Sequence, residues 1–261
     1  MNTERGVSFL NDVVLELVLL AFFLELVDST LGGGYGTIMT PLLIIFGFEP
    51  LIIVPAILVS EILTGFASGY FHNQAGNVDI VNNKIARVSL RVLVLSGVLG
   101  IAVAMIFAIS IPSFYVKVYI AFLVIAMGSL VLLRRNHMGG YQLKKMASIG
   151  LLCAFNKGIS GGGYGPVSVS GQLLSGVDGK AAIAVTSISE AAVCVMGVIG
   201  YLFIGSIDVL TILLPVCAGA LLATPFAALT VSKISMNRLR EVIGVAVIAI
   251  GLFTLTKVMF F

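Results

Sequence analysis

The chain contains an internal duplication that runs without a gap over 49 positions. Residues 32–80 recur at residues 161–209, and both copies open on the pentapeptide Gly-Gly-Gly-Tyr-Gly. Ten of the 49 aligned positions are identical, including the pairs Ser60/Ser189 and Glu61/Glu190. Weaker similarity then relates residues 111–128 to residues 234–251, so the duplication spans almost the whole chain. An apolar segment interrupted at the same position in both halves is typical of transporters whose site lies at the repeat interface.

The composition indicates a membrane protein. Apolar residues make up 59% of the chain and charged residues 10%, and the mean hydropathy is +1.14, which departs strongly from soluble domains. Apolar runs near 20 residues are long enough to cross a bilayer as helices. The 15 basic residues lie mostly in short loops rather than in one patch, so the net charge of +3 does not indicate a nucleic-acid partner.

These features predict an all-α, polytopic membrane helix bundle made of two repeats, residues 1–133 and residues 146–261, joined by a basic linker at residues 134–145. Three consecutive glycines do not hold helical geometry, so each repeat is expected to open with a glycine-broken helical hairpin, followed by three transmembrane helices. The predicted elements are hairpins at residues 9–46 and 146–174 and spans at residues 51–71, 85–109, 114–133, 181–204, 207–231 and 238–260.

The distribution of basic residues predicts that the second repeat is inverted. The linker holds four basic residues and is therefore expected in the cytoplasm. Three spans in each half is an odd number, and a re-entrant hairpin crosses nothing, so the two halves take opposite orientations. Loops 73–84 and 232–240 are then also cytoplasmic, and both termini lie outside a cell (inner) membrane. The parity is the same if each hairpin crosses the membrane twice.

The two glycine breaks are the predicted substrate site. A break in mid-membrane frees backbone N–H groups that lipid cannot satisfy, and the N-terminus of the helix that follows favours an anion. Two inverted breaks would direct two such ends at one centre, although glycine runs also serve close helix packing. The predicted binding residues, with both tyrosines as hydroxyl donors, are Gly33, Gly34, Tyr35, Gly36, Thr37, Lys157, Ser160, Gly162, Gly163, Tyr164 and Gly165.

Lys157 and four acidic residues are the ionisable side chains nearest the predicted site. Lys157 occupies the repeat position of Asp28 and is the predicted counter-charge for a small anionic substrate, because a charge deep in a bilayer costs at least ~2.5 kcal/mol and marks function. An ion pair with Asp28 and snorkelling to the cytoplasmic interface are the alternatives. Glu25, Asp28, Glu61 and Glu190 are candidates for proton coupling. Glu61 and Glu190 alternatively cap amides of the breaks or pair with Arg91.

The cysteines and histidines indicate neither a metal nor a cofactor. Cys153, Cys194 and Cys217 lie in apolar segments without metal-ligand spacing and are interpreted as core residues. The pentapeptide is not a dinucleotide fingerprint, and no nucleophile stands beside a base. A transporter rather than an enzyme is therefore predicted. Its rivals are a passive anion channel on the same fold and an intramembrane enzyme or thiol carrier using the buried carboxylates, His72 or the cysteines.

Several of these motifs occur together in a known family. They are a glycine-rich break with a proline-bearing short helix (residues 32–41), a serine-containing stretch in the next span, and Gly76-Asn77-Val78-Asp79 at its cytoplasmic end. The chain resembles, over nearly its full length, the TauE/SafE family of membrane anion exporters. The resemblance implies export of sulfite or small organosulfonates such as sulfoacetate. The chain departs from the family's commoner Gly-Ile-Gly-Gly-Gly form and has Glu61 and Glu190 where smaller residues are expected. The expected surrounding is the lipid bilayer, and a homo-oligomer is compatible with this fold.

Overall fold

The protein is helical throughout the residues that the computed structural model describes, which are 2–133, 142–204, 210–231 and 236–260. Their helices are α1 Asn2–Leu31, α2 Tyr35–Ile45, α3 Pro50–Gln74, α4 Lys84–Ser110, α5 Ser113–Leu133, α6 Leu143–Ser160, α7 Tyr164–Leu174, α8 Gly179–Ile204, α9 Leu210–Val231 and α10 Met236–Phe260. The helices of the first half therefore recur in the same order in the second half, with similar lengths except that α1 has 30 residues and α6 has 18.

Each half opens with two helices separated at the glycines. The chain leaves helical geometry after Leu31 and resumes it at Tyr35, and the equivalent interruption in the second half covers residues 161–163. Gly161 closes α6 with a φ of 68°, and its N–H donates to the carbonyl of Lys157 at 2.8 Å. Glycine adopts this left-handed conformation without steric cost, which explains why the helix ends there.

Four of the helices are long and apolar enough to cross a membrane: Pro50–Gln74, Lys84–Phe107, Gly179–Phe203 and Ile212–Val231. Further apolar helical stretches are Phe114–Leu123 and Gly251–Phe260. Large apolar side chains such as Leu95 and Phe203 point outward and are 71% and 87% exposed, which suits a surface that faces lipid rather than water. The fold is accordingly that of a multi-pass membrane protein.

The helices pack in pairs that combine the two halves. Helix α1 packs along α9 and α6 packs along α4, while α3 packs against α8 and α5 against α10. Small residues allow these close approaches. A Cβ added at Gly219 would lie 2.0 Å from the carbonyl oxygen of Val18, and one at Gly100 would lie 2.3 Å from that of Leu151. This packing places α3 and α8 together beside the two glycine breaks.

The predicted linker at residues 134–145 lies largely outside the described residues. The same is true of residues 205–209 and of part of the predicted loop 232–240. The orientation in the membrane and the position of the termini therefore stay predictions.

Candidate functional site

The two glycine breaks cross each other in direct backbone contact. A Cβ added at Gly36 would lie 1.8 Å from the carbonyl oxygen of Gly161, and one added at Gly165 would lie 2.5 Å from that of Gly32. Gly36 and Gly165 are equivalent in the repeat, as are Gly32 and Gly161. Each break thus presents its second helix to the end of the first helix in the other half, and only glycine leaves room for this approach.

The backbone amides at the breaks are already paired with oxygen atoms of the protein. The N–H of Tyr35 donates to Asp28 Oδ1 at 2.7 Å, and that of Gly163 donates to Thr37 Oγ1 at 2.9 Å. The N–H of Gly162 donates to Ser160 Oγ at 3.1 Å. These three amides, which were predicted to hold an anion, are therefore satisfied within the protein by one carboxylate and two hydroxyl groups.

The two predicted tyrosine donors make the same contact in both halves. The hydroxyl groups of Tyr35 and Tyr164 lie 3.1 Å from the Oγ atoms of Ser60 and Ser189, respectively. Both tyrosines are fully buried. Each serine directly precedes the repeated glutamate, so each tyrosine hydroxyl is held one residue away from a buried carboxyl group.

Lys157 lies at the centre of the site and bridges the two repeated glutamates. Its side chain is fully buried, and Nζ lies 2.8 Å from Glu190 Oε1. It also donates to Glu61 Oε2. The ammonium is thus paired with one glutamate from each half, rather than with Asp28 or with lipid headgroups. Sequence reasoning selected all three residues but did not foresee that they bind one another.

Two more acidic side chains lie beside this ion pair. Asp28 interacts electrostatically with Lys157 and Glu190, in addition to its bond from Tyr35. Glu25 Oε1 accepts a hydrogen bond from Ser29 Oγ at 2.6 Å. Within the described part of the chain, no group of histidine, cysteine, aspartate and glutamate side chains has an arrangement that would hold a metal ion. Four carboxyl groups therefore share one ammonium.

A small cavity adjoins the carboxyl groups. Its volume is about 10 Å³, close to the room that one water molecule needs. Glu25 Oε2 and Glu61 Oε1 are buried oxygen atoms with no hydrogen-bond partner. The cavity is lined by Glu25, Asp28, Glu61, Thr64, Gly65, Ser187 and Glu190.

Contacts between α3 and α8 lie on both sides of the glutamates. On one side, Ser68 Oγ donates to Ser187 Oγ at 3.4 Å. On the other, a Cβ at Gly197 would lie 2.9 Å from a methyl carbon of Leu58. As residue numbers fall along α3 in these contacts, they rise along α8, so the two helices are antiparallel. The two contacts thus hold α3 and α8 together on both sides of the glutamates.

Sequence reasoning missed a polar network between α7 and α8. Gln172 Nε2 donates to Ser168 Oγ at 3.1 Å, to Thr186 Oγ1 at 2.7 Å and to the carbonyl of Ala182 at 3.2 Å. Two polar residues four positions apart in an apolar segment are the signal that would have indicated it. The equivalent positions in the first half are apolar, namely Met39, Leu43 and Ile57. The Gln172 network therefore has no counterpart at the equivalent positions of the first half.

Residues of the rival hypotheses have structural contacts. His72 is buried, and its Nε2 donates to the carbonyl of Ser29 at 2.8 Å while Nδ1 accepts from Asn77 Nδ2 at 3.2 Å. This tautomer follows from the amide of Asn77, which can only donate through nitrogen. Cys194 Sγ lies 3.9 Å from Glu61 Oε2.

In the loop after α3, hydrogen bonds from the side chain and backbone of Asn82 lower the pKa of Asp79.

The fold and the site together define a class of protein. A multi-pass helix bundle with ionisable groups buried where two broken helices meet is the arrangement of a membrane transporter. The family model for "Sulfite exporter TauE/SafE" matches residues 17–254, and the chain belongs to this family. A relative, "Probable membrane transporter protein YtnM" of Bacillus subtilis (strain 168), is 29% identical over 245 residues, which cover 88% of this chain and 79% of the relative. The predicted family resemblance is confirmed.

Proposed function

We propose that the protein is a secondary transporter that exports a small sulfur oxyanion or organosulfonate from the cytoplasm by alternating access. The observation that carries this proposal is the position of Lys157, a fully buried ammonium beside the point where the two glycine breaks touch. A charge in this low-dielectric setting interacts with an anion far more strongly than it would in water. Burying a charge inside a membrane protein costs free energy, so its presence there indicates a function.

The groups around Lys157 suit an anion with several oxygen atoms. The N–H groups of Tyr35 and Gly163 open two short helices, whose dipoles favour negative charge. Tyr35 and Tyr164 add two buried hydroxyl groups. A sulfite or sulfonate group has three oxygen atoms to accept such bonds, and the small cavity favours a small substrate. The choice of sulfur chemistry comes from the family to which the chain belongs.

The proposed architecture is an inverted repeat. The equivalent helices α3 and α8 are antiparallel, which supports opposite orientations of the two halves in the membrane. The contact between Gly36 and Gly161 also recurs between the equivalent residues Gly165 and Gly32. Such pseudosymmetry allows each half to adopt the conformation of the other, so that the site opens alternately to the two sides.

The two α3–α8 contacts are the proposed gates of this cycle. In the predicted topology, the Ser68–Ser187 contact lies on the cytoplasmic side of the glutamates, and the Leu58–Gly197 contact lies on the external side. The present conformation is then the occluded intermediate. Separation of the breaks and of one gate would release the amides from Asp28 and Thr37 and admit the substrate.

The test is efflux of ³⁵S-labelled sulfite and sulfoacetate from proteoliposomes, with sulfate and chloride as competitors. We expect saturable efflux in the wild type and a loss of at least about tenfold in Lys157→Ala, which corresponds to about 1.4 kcal/mol of lost binding. Lys180→Ala is the matched control, because Lys180 is exposed at the start of α8 and should transport at the wild-type rate.

Three results would contradict the proposal. Wild-type efflux that does not saturate would indicate a passive channel. An altered chemical product would indicate an intramembrane enzyme. Unchanged efflux in Lys157→Ala would remove the assigned role of the ammonium. Thermal stability of the purified variants separates a transport defect from a folding defect.

A further inference from the structure

We propose that Glu61 and Glu190 are internal competitors of the substrate: their carboxylates occupy the Lys157 ammonium when the site is empty and release it on protonation, so that each bound anion is accompanied by a proton. This inference rests on the proposed anion-transport function. It goes beyond that function because it assigns the coupling ion, its binding atoms and the reason for coupling.

The first support is the occupancy of the ammonium. Lys157 Nζ lies 2.8 Å from Glu190 Oε1 and also donates to Glu61 Oε2, so both carboxylates hold the positions that the oxygen atoms of an anion would take. An anion that reached Lys157 with both glutamates ionised would meet like charges at close range in a low-dielectric interior. Neutralising a carboxyl group removes that repulsion and frees a hydrogen-bond position on the ammonium.

The second support is an unpaired oxygen at the place where a proton would arrive. Glu61 Oε1 is buried, lines the cavity and has no hydrogen-bond partner. The Glu61 and Glu190 carboxyl groups also contact the same Lys157 Nζ atom, so they lie close together, an arrangement that a shared proton stabilises. The hydroxyl groups of Thr64 and Ser187 extend the cavity along α3 and α8 toward the predicted cytoplasmic gate.

The surroundings of the two glutamates come from six helices. Glu25 and Asp28 face them from α1, and Lys157 is the cation that faces them, from α6. The remaining titratable neighbours are tyrosines and cysteines, whose ordinary pKa values lie above neutral pH. They are Tyr35 from α2, Tyr164 from α7, Cys153 from α6, Cys194 from α8 and Cys217 from α9. With four carboxyl groups against one ammonium, binding a further anion without a proton would increase an existing excess of negative charge.

The charge balance defines the exchange. In the empty site, both glutamates pair with the Lys157 ammonium. When a monovalent anion binds, one of the two glutamates takes one proton from solution and leaves Nζ, and the anion takes its place, so the net charge of the site stays the same. The anion and the proton then cross together without moving net charge. The direction of transport depends on the sum of the anion and proton gradients.

The test uses methanesulfonate as the probe. A sulfonate stays fully ionised near neutral pH, so any proton taken up from solution must bind to the protein. Purified full-length protein in a weakly buffered solution with a pH indicator is titrated with methanesulfonate, and bound anion is measured in parallel. We expect uptake of about one proton per bound anion. Above the pH range in which the glutamates titrate, the dissociation constant for methanesulfonate should rise by about tenfold per pH unit, as linkage requires.

The variants Glu61→Gln, Glu190→Gln and the double replacement identify the proton-binding groups. The double variant is expected to bind methanesulfonate without proton uptake and with an affinity that no longer depends on pH. Glu16→Gln is the matched control, since Glu16 is an exposed carboxyl group on α1 and its replacement should leave the proton count unchanged.

The outcomes distinguish this inference from the transport proposal. Anion binding in the wild type without proton uptake would overturn the inference and leave the transporter intact. Undiminished uptake in the double variant would overturn the assignment and point to Glu25 or Asp28. Failure of the wild type to bind or transport any sulfur oxyanion would overturn the transport proposal itself. The wild-type measurement does not depend on whether a variant folds.

Discussion

At the scale of single residues, the site derives its asymmetry from one repeat position. Asp28 and Lys157 are equivalent in the duplication, and the carbonyl group of each accepts the N–H of the glycine that closes its helix. Their side chains have separated in role. Asp28 accepts the first amide of α2, whereas Lys157 pairs with glutamates from both halves. One duplicated scaffold thus holds a charge arrangement that a symmetric pair of residues would not provide.

The ion pair leads to a prediction about stability. The Glu61→Gln/Glu190→Gln double variant removes both carboxylates that pair with the buried Lys157 ammonium, and breaking a buried ion pair typically costs about 3–5 kcal/mol. We expect a lower melting temperature in detergent than for the wild type. Methanesulfonate should raise the melting temperature of the double variant more than that of the wild type, because ligand binding stabilises the folded state and no internal carboxylate has to be displaced.

Glu16→Gln is again the control, measured by the same thermal assay with and without the anion. If methanesulfonate stabilises the double variant and the wild type equally, the glutamates do not compete with the anion at Lys157. If the double variant melts at the wild-type temperature before anion is added, the Lys157 pairing contributes nothing measurable to the fold.

At the scale of helices, the crossing of the breaks depends on backbone contact that a single methyl group would prevent. Gly36→Ala places Cβ 1.8 Å from the Gly161 carbonyl oxygen, so the two breaks must separate. We expect the efflux rate and the melting temperature to fall together. Gly200→Ala is the matched control. Its Cβ would meet the Met105 side chain at 2.8 Å, and an unbranched methionine can rotate away where a backbone cannot.

The test compares the efflux rates and melting temperatures of the two glycine variants. A Gly36→Ala protein that transports and melts like Gly200→Ala would show that the breaks need not touch. Restoration of folding but not of transport by a stabilising condition, such as saturating substrate, would place the contact in the transport cycle rather than in assembly alone.

The helices were predictable from the sequence because their signals are local. Apolar runs bounded by glycine, proline and polar residues predicted the spans to within a few residues, for example 51–71 against Pro50–Gln74. The breaks were predicted at the glycine clusters but extended over five residues each. The structure continues the helix from Tyr35 because its amide is capped by Asp28. That cap is a side-chain contact across the break, which glycine content alone does not indicate.

The site was only partly predictable, because its decisive contacts join distant segments. The duplication selected Glu61, Glu190 and Lys157, but the pairing of Lys157 with Glu61, 96 residues away, and with Glu190 is set by packing of α3, α6 and α8 rather than by any spacing in the sequence. An ion pair between Lys157 and Asp28, or one between Arg91 and either glutamate, was also compatible with the sequence. The polar network around Gln172 is absent from the first half, so a search based on the repeat passed over it.

At the scale of the whole molecule, alternating access requires the α3–α8 gates to open in turn. The Oγ atoms of Ser68 and Ser187 lie 3.4 Å apart, close enough for a disulfide between cysteines placed there. The test is Ser68→Cys/Ser187→Cys in a background where Cys153, Cys194 and Cys217 are serine. The background alone should transport normally, since these buried cysteines are interpreted as core residues and not as thiol carriers.

Oxidation of the double cysteine protein is expected to stop sulfite efflux almost completely, and reduction should restore it, because the disulfide holds the predicted cytoplasmic gate shut. Each single cysteine variant should be insensitive to oxidation. A Leu58→Cys/Gly197→Cys pair, joined by a short bifunctional thiol reagent because Leu58 reaches Gly197 through its Cδ1 atom, provides the cross-link at the other gate. If the first cross-link forms, as shown by a mass shift on reduction, and efflux continues, then α3 and α8 do not separate there and the path through the molecule lies elsewhere. If both cross-links stop efflux, each gate must open in every cycle, which a transporter requires and a permanently open channel does not.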